Sequence, residues 1–500
     1  MLLLLFQLAA QAPVGPDTSE GAQQALRYDI TLVPSDTSTH ILGEVETTWR
    51  LRSAAPVAML LDSTFRVIRV LVDGKPNTRL SRTMYGRTAK DIVVPHEKQA
   101  GDTITTRVRY HGFVTRGFRL GPNRFGDRTA FSDSPPGPVS GWLPVPDDST
   151  EAAPVSFNVQ ADSGQQVIAN GTLDTVDTLA YGHLVWHYHL AAPVPLESIE
   201  VGVARFARAF LRDSACGPGC PRVSVWTFPR DSGFALSGPF RRAGAIAGYL
   251  RRLLGPFPYP ELAHVESTTG STTAGGGGVL FYGEAGYDGR ALGEPTVAAA
   301  TARQWFEGAL PVAKPSLLLD GLGTYLTALW LGHADGAPAL IAALRAAADS
   351  TTPDRGLWLW RQLHGMLGDS AFFAGLRGFA AARSDSLPPA ERFARSMSAA
   401  AGRDLSWYFR QTVDQPGHPR LELRWRRSSG KVLLQIRQVQ PRAWGLFRIP
   451  GLVVLADGRP VRVDVDGPVT ERVVEGLSRP PHRTSVDPGQ WWLLEVVRTT

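Results

Sequence analysis

The chain changes its hydrophobic period twice. From Tyr28 polar and apolar residues alternate, first in Tyr28-Asp29-Ile30-Thr31-Leu32-Val33, then from Gly43 to Leu51 and from Thr103 to Tyr110. A period of two puts every second side chain on one face of a strand. The turn pairs Asp73-Gly74, Asn170-Gly171 and Tyr181-Gly182 separate such runs, so the pattern predicts a large antiparallel β domain over 26–208. Pro239 to Leu254 then takes a helical period, with Arg241, Arg242, Arg251 and Arg252 among apolar residues. Pro256, Pro258 and Pro260 follow, then a short strand around Ala263-His264-Val265-Glu266 and a glycine loop from Gly275 to Gly278. From Pro295 to Arg410 the chain is rich in Ala and Leu at helical spacing, with breaks expected at Asp349 to Thr352 and at Ser384 to Ser386. A mostly helical domain is therefore expected over 221–415. Alternation returns in Leu421 to Trp425, Val432 to Ile436 and Gly451 to Leu455, and the last such run is Trp491 to Val497. This predicts a small β domain over 418–500 and, for the whole chain, a multidomain α+β protein.

Length agrees with three units, since 500 residues exceed what a single core fills. With 43% hydrophobic and 20% charged residues, the chain can fold without staples. The formal charge of +6 is spread thinly and includes no basic run, so neither nucleic acid nor an anionic lipid surface is expected as a partner. No run of eighteen apolar residues is present, and no transmembrane segment is expected. Residues 1–12 read as a signal peptide: an apolar run from Leu2 to Leu5 and on to Leu8, then Ala10-Gln11-Ala12 as an A-x-A cleavage pattern, though a basic start is missing. Export to the periplasm or the exterior is the expectation. Cys216 and Cys220 are the two cysteines, in Cys-Gly-Pro-Gly-Cys. In an oxidising compartment they read as a local disulfide, in a reducing one as two thiols in a loop. A zinc ribbon would need a second pair.

Two neighbouring segments carry more specific information. Gln304-Trp305-Phe306 is expected on a helix, and Leu317 to Tyr325, reading Leu-Leu-Leu-Asp-Gly-Leu-Gly-Thr-Tyr, opens the next. This resembles the alanyl aminopeptidase family of gluzincin zinc metallopeptidases, whose zinc helix reads H-E-x-x-H-Q-W-[FW]-G and whose next helix carries W-L-x-E-G-x-A-x-Y. Further likenesses keep the family's order: Ser140 to Pro144 with Asp147, Ala169 to Leu173, Gly255 to Pro260, and Met366 to Phe372. The resemblance spans roughly residues 26–420. It implies an N-terminal β saddle, a thermolysin-like, mostly helical domain and a small β-sandwich-like C-terminal domain. It also implies zinc as cofactor.

The zinc positions depart from the family. Its two histidine ligands fall on Ala299 and Arg303, its catalytic Glu on Ala300 and its third ligand on Asp320. Two histidines at i and i+4 share a helical face and can grip one ion, and a Glu at i+1 takes the proton of a metal-bound water. Alanine supplies neither ligand nor base, and Arg303 brings a cation to where the metal would sit. An Arg303–Asp320 ion pair is expected in its place, with no metal. The loop that reads a peptide's amino terminus in the family falls on Gly275, Gly276, Gly277 and Gly278, with Glu284 the nearest acid, and its oxyanion tyrosine falls near Pro353.

The expected cleft is therefore lined from Trp142, His264, Glu266, Gly275 to Gly278, Glu284, Arg303, Asp320 and Tyr325. Trp142 either lines it or packs the domain junction. His183, His187 and His189 share a strand face and are read as surface histidines rather than a metal site. His264 and Glu266 with the following Ser and Thr residues are read as a flexible polar loop, because no G-x-S-x-G elbow supports a serine hydrolase. The function expected is that of an exported, non-catalytic homologue of aminopeptidases that binds a peptide or protein. The alternatives are an active hydrolase of the same fold with relocated chemistry and a purely structural role with the cleft filled in; a pocket lined from 264–284 and 299–325 would favour binding, a packed site a scaffold.

Overall fold

Alternation produces the first sheet directly. In the strand Gln23–Pro34, Tyr28, Ile30 and Leu32 are buried while Asp29 and Thr31 are half-buried on the other face. The computed structural model describes residues 21–499 except 78–80, 86–88, 134–136, 147–151, 213–215, 217–218, 271–272, 289–291, 307–316, 349–354 and 383–387. The signal segment, Asp147, Pro353 and the breaks at 349–352 and 384–386 lie outside the described residues. Eight strands form this sheet, in the order Thr172–Thr178, His183–Pro195, Ala152–Asp162, Gln23–Pro34, His40–Leu51, Thr103–Phe113, Phe65–Val72 and Lys75–Pro76. It is mixed rather than wholly antiparallel, because Gln23–Pro34 pairs with Ala152–Asp162 in parallel, Tyr28 opposite Val155. Local alternation specifies a face but not the direction of a partner that lies more than a hundred residues away. Trp49, fully buried, donates from Nε1 to Thr106 Oγ1 at 2.8 Å, which removes the cost of burying its one polar atom.

The second unit is built on a four-stranded sheet in the order Ala207–Leu211, Arg222–Thr227, Glu261–Ser267 and Val279–Gly283. The last three strands are mutually parallel. Both faces are covered; Val279–Gly283 reads as a continuous apolar run, whereas Arg222–Thr227 and Glu261–Ser267 include polar residues that are buried all the same. Val223, Val225, Leu262, Leu280 and Tyr282 join the helical core, whereas Trp226, Ala263, Val265, Val279 and Phe281 join the core of the N-terminal β domain. One sheet thus ties two domains together, with Phe281 meeting the ring of Phe131 edge-on at 5.3 Å.

Eight helices are described: α1 Ser232–Ser237, α2 Ala243–Leu254, α3 Glu294–Arg303, α4 Leu317–Asp335, α5 Ala337–Ala348, α6 Arg355–Ala381, α7 Pro389–Ala401 and α8 Ser406–Phe409. Helix α2 starts four residues later than its periodicity suggests and ends at Gly255, whose φ of 89° suits glycine. Helix α3 opens on Glu294 and Pro295, an acid and a proline in the first turn. It stops at Arg303, so Gln304, Trp305 and Phe306 lie in a following turn rather than on the helix itself. Gly368, with φ 70° and ψ 168°, interrupts α6.

The C-terminal unit packs two sheets over one core. Val469–Val474, Lys431–Gln438, Arg420–Ser428 and Glu495–Thr499 form one; Arg459–Val465, Ile449–Ala456 and Thr484–Val486 form the other. Leu421, Leu423, Leu434, Ile436, Ile449, Leu452 and Val454 fill the space between them, the sandwich-like arrangement expected of alternating strands. Cys216 and Cys220 form a disulfide. Among the described residues, no helix is long and apolar enough to cross a membrane.

Candidate functional site

Helices α3 and α4 lie against each other, with Ala299 and Arg303 beside the first turns of α4. At Gly323 a Cβ would stand 3.6 Å from the carbonyl oxygen of Ala299 and 3.6 Å from Cγ of Arg303. Ala299 and Arg303, four residues apart, share the partly exposed face of α3, while Ala300 turns into the helical core at 1% exposure. Arg303 Nη1 stands 3.6 Å from Asp320 Oδ1, with side chains 36% and 49% exposed. Arg303 Nη2 is also 3.4 Å from Thr273 Oγ1. The ion pair expected between these residues is therefore present, but as a wet, loose contact worth at most about 1 kcal/mol. The guanidinium side chain is partly exposed, so no deep desolvation has to be offset.

The glycine loop beside this crossing is pinned from both sides. Asn170 of the β domain donates from Nδ2 to the Gly276 carbonyl at 2.8 Å and to that of Ser198 at 3.1 Å. From the end of α3, Gln304 Oε1 accepts the Gly278 N–H at 2.9 Å. Gly277 has φ 59°, and a Cβ there would meet Asn170 Nδ2 at 2.6 Å; only glycine fits so close to the clamp. The loop is thus a fixed junction of two domains.

Several residues expected in the cleft are instead interior. Trp142 is fully buried against Phe118, ring centroids 5.0 Å apart, in the core of the β domain. His264 and Glu266 lie in the buried strand Glu261–Ser267, both fully enclosed, rather than in a flexible loop. His264 Nδ1 meets the Tyr282 hydroxyl at 2.9 Å, and burial pushes its pKa down to about 3, so it is neutral at ordinary pH. Glu266 Oε2 accepts the Phe228 N–H at 2.8 Å. Burial first, and then the hydrogen-bonded Asp231 carboxyl, pushes Glu266 up to about 9, so it carries a proton. Tyr325, at 3% exposure, turns toward α6, where its hydroxyl meets His364 Nδ1 at 2.7 Å and His364 Nε2 meets Asp369 Oδ1 at 2.8 Å.

Glu284 is engaged as well. Its Oε2 accepts the backbone N–H of Arg124 at 2.8 Å. The Arg124 guanidinium, reaching over from a turn of the β domain, lies 2.5 Å from Asp231 Oδ2 and 4.0 Å from Glu266 Oε1. Sequence reasoning missed Arg124, Asp231 and the Tyr325–His364–Asp369 chain, since each is assembled from distant segments without a local motif. His183, His187 and His189 do not converge: each has its own carboxylate, Asp162 at 3.0 Å, Asp177 at 3.2 Å and Asp174 at 2.7 Å. Among the described residues no three of His, Cys, Asp and Glu are arranged to hold a metal ion. The cavities of about 240, 670 and 320 Å³ are lined by residues outside 264–284 and 299–325.

No family model and no curated protein matches the sequence. The fold, in contrast, has clear relatives among solved structures. A glutamate-to-alanine mutant of the M1 zinc metallopeptidase from Deinococcus radiodurans superposes with a TM-score of 0.65 at 19% identity, covering 78% of this chain and 94% of that one. The unmutated protein gives 0.64 at 19% identity, covering 78% and 93%. The mutant bound to a Tyr-Ser-Ala substrate gives 0.63 at 19% identity, covering 78% and 94%. The chain thus has the fold of the M1 zinc metallopeptidases, an N-terminal β-rich domain and a helical middle, followed by a C-terminal β domain.

Proposed function

We propose that this protein is a non-catalytic relative of the aminopeptidases that has lost its zinc, is exported, and acts by binding a peptide or protein. The observation that carries the reading is the pair at the α3–α4 crossing: the guanidinium of Arg303 sits 3.6 Å from Asp320, with Ala299 and Ala300 in place of ligand and base. Zinc, which the fold implies, does not fit these residues. A metal there would have one carboxylate as ligand and a permanent cation as neighbour, whereas a catalytic zinc takes three protein ligands and a water. The local disulfide Cys216–Cys220 supports an oxidising compartment and hence export. Elemental analysis of the purified protein, with an aminopeptidase assay on the same sample, tests the reading. We expect no stoichiometric zinc and no turnover that a chelator abolishes. A single bound zinc with chelator-sensitive hydrolysis would overturn it.

A further inference from the structure

Where α6 and the loop after α7 meet the C-terminal domain lies a cavity of about 320 Å³, a size and a domain-junction position typical of small-ligand sites. Trp491 is its unusual member. The side chain is 44% exposed, yet it is seated with care. It lies on Gly365 of α6, where a Cβ would come within 2.6 Å of the ring, and beside Gly489, where one would come within 2.7 Å. Arg361 stands over the indole at 5.2 Å and donates to the Gly489 carbonyl at 2.8 Å. Asp487 fastens the same segment: its carboxylate accepts the Trp492 N–H at 2.7 Å and its own N–H donates to Val453 at 2.8 Å. Two glycines that make room for an indole and a cation laid on it hold an apolar ring open to solvent at the cavity wall.

Arg403 and Arg462 line the cavity. Arg403 donates to the Met366 carbonyl at 3.3 Å, and neither arginine has a carboxylate partner among the described residues. Asp487, the one acid of the lining, is already engaged by backbone N–H groups. Two guanidinium groups and a fixed aromatic ring lining one cavity suit a planar ring that carries an anion.

The structure assigns to this cavity, we infer, the binding of a carboxylate carried next to an aromatic ring, the ring on Trp491 and the carboxylate on Arg403 and Arg462. An aromatic amino acid with a free carboxylate has this chemistry, alone or as the last residue of a peptide. The site is separate from the α3–α4 crossing and does not rest on the loss of zinc. Calorimetric titration of the full chain with N-acetyl-L-phenylalanine and with its amide tests it. The acid binds one to one and the amide at least roughly tenfold more weakly, as loss of a charged hydrogen bond requires. Arg403→Ala with Arg462→Ala abolishes the difference between them, and Trp491→Ala weakens both, whereas Trp491→Phe, which keeps an aromatic face, retains binding if the fold is intact. Equal binding of acid and amide, no heat at millimolar acid, or an arginine double variant that still discriminates would each overturn the assignment. Titration with N-acetyl-Ala-Ala-Phe then tells the two sources apart: tighter binding than the single residue points to a peptide end, equal or weaker binding to the free acid.

Discussion

His264 and Glu266 stand two residues apart on one strand and titrate in opposite directions. Both are held neutral by burial, His264 with its pKa down to about 3 and Glu266 with its pKa up to about 9. Between about pH 3 and the ordinary histidine value near 6.5 the unfolded chain binds the extra proton, so His264 makes stability rise with pH. From the ordinary carboxylate range to about pH 9 the folded chain keeps the Glu266 proton that the unfolded chain has lost, so stability falls as pH rises, by at most about 1.4 kcal/mol per pH unit for this group. Glu266→Gln is neutral throughout and still offers an oxygen to the Phe228 N–H. Denaturation midpoints measured from pH 5 to 9 should therefore fall less steeply in this variant than in the native chain. Equal slopes would mean that Glu266 is ionised in the folded protein.

At the scale of an element, residue spacing along α3 decides which of its side chains can meet α4. The i and i+4 spacing still sets Ala299 and Arg303 on the face that meets Asp320. Ala299→His together with Arg303→His should then create, with Asp320, a site of three protein ligands that takes up zinc. Elemental analysis after dialysis against zinc reads this directly; a variant that stays metal-free would show that the α3–α4 crossing has the wrong spacing. The start of α3 was legible from Pro295, but its end was not, because nothing local stops a helix at Arg303. The strand Arg222–Thr227 was overlooked for a related reason. Its alternation covers only Arg222 to Val225 before Trp226 breaks it, too short a run to announce a strand, and the whole of Val223 to Thr227 is buried.

At the scale of the molecule, the β domain is fastened to the helical domain by polar contacts at the ends of the parallel strands as well as by the shared core. Arg124 bridges to Asp231, Glu266 and Glu284, and its guanidinium is one-third exposed while Asp231 and Glu266 are nearly or fully enclosed. Arg124→Ala leaves Asp231 without its cation and should cost about 1–3 kcal/mol. Hydrogen exchange should quicken at Phe228 to Asp231 and at Glu284 to Tyr287. A change below about 0.5 kcal/mol, the range of ordinary surface substitutions, would show that the shared hydrophobic core alone holds the domains together.

The sequence by itself determined the three-part architecture and most strands of the two outer domains. These are matters of local period and of order along the chain. The tertiary structure alone decided that Gln23–Pro34 pairs in parallel with Ala152–Asp162, that Trp142, His264 and Tyr325 are interior rather than cleft residues, and that Arg303 stands partly exposed beside Asp320. It also decided that Trp491 and two arginines share one cavity. The physical reason is common to all of these. Side-chain burial and charge pairing depend on segments tens to hundreds of residues apart, and no periodicity within one segment encodes which distant partner will cover it.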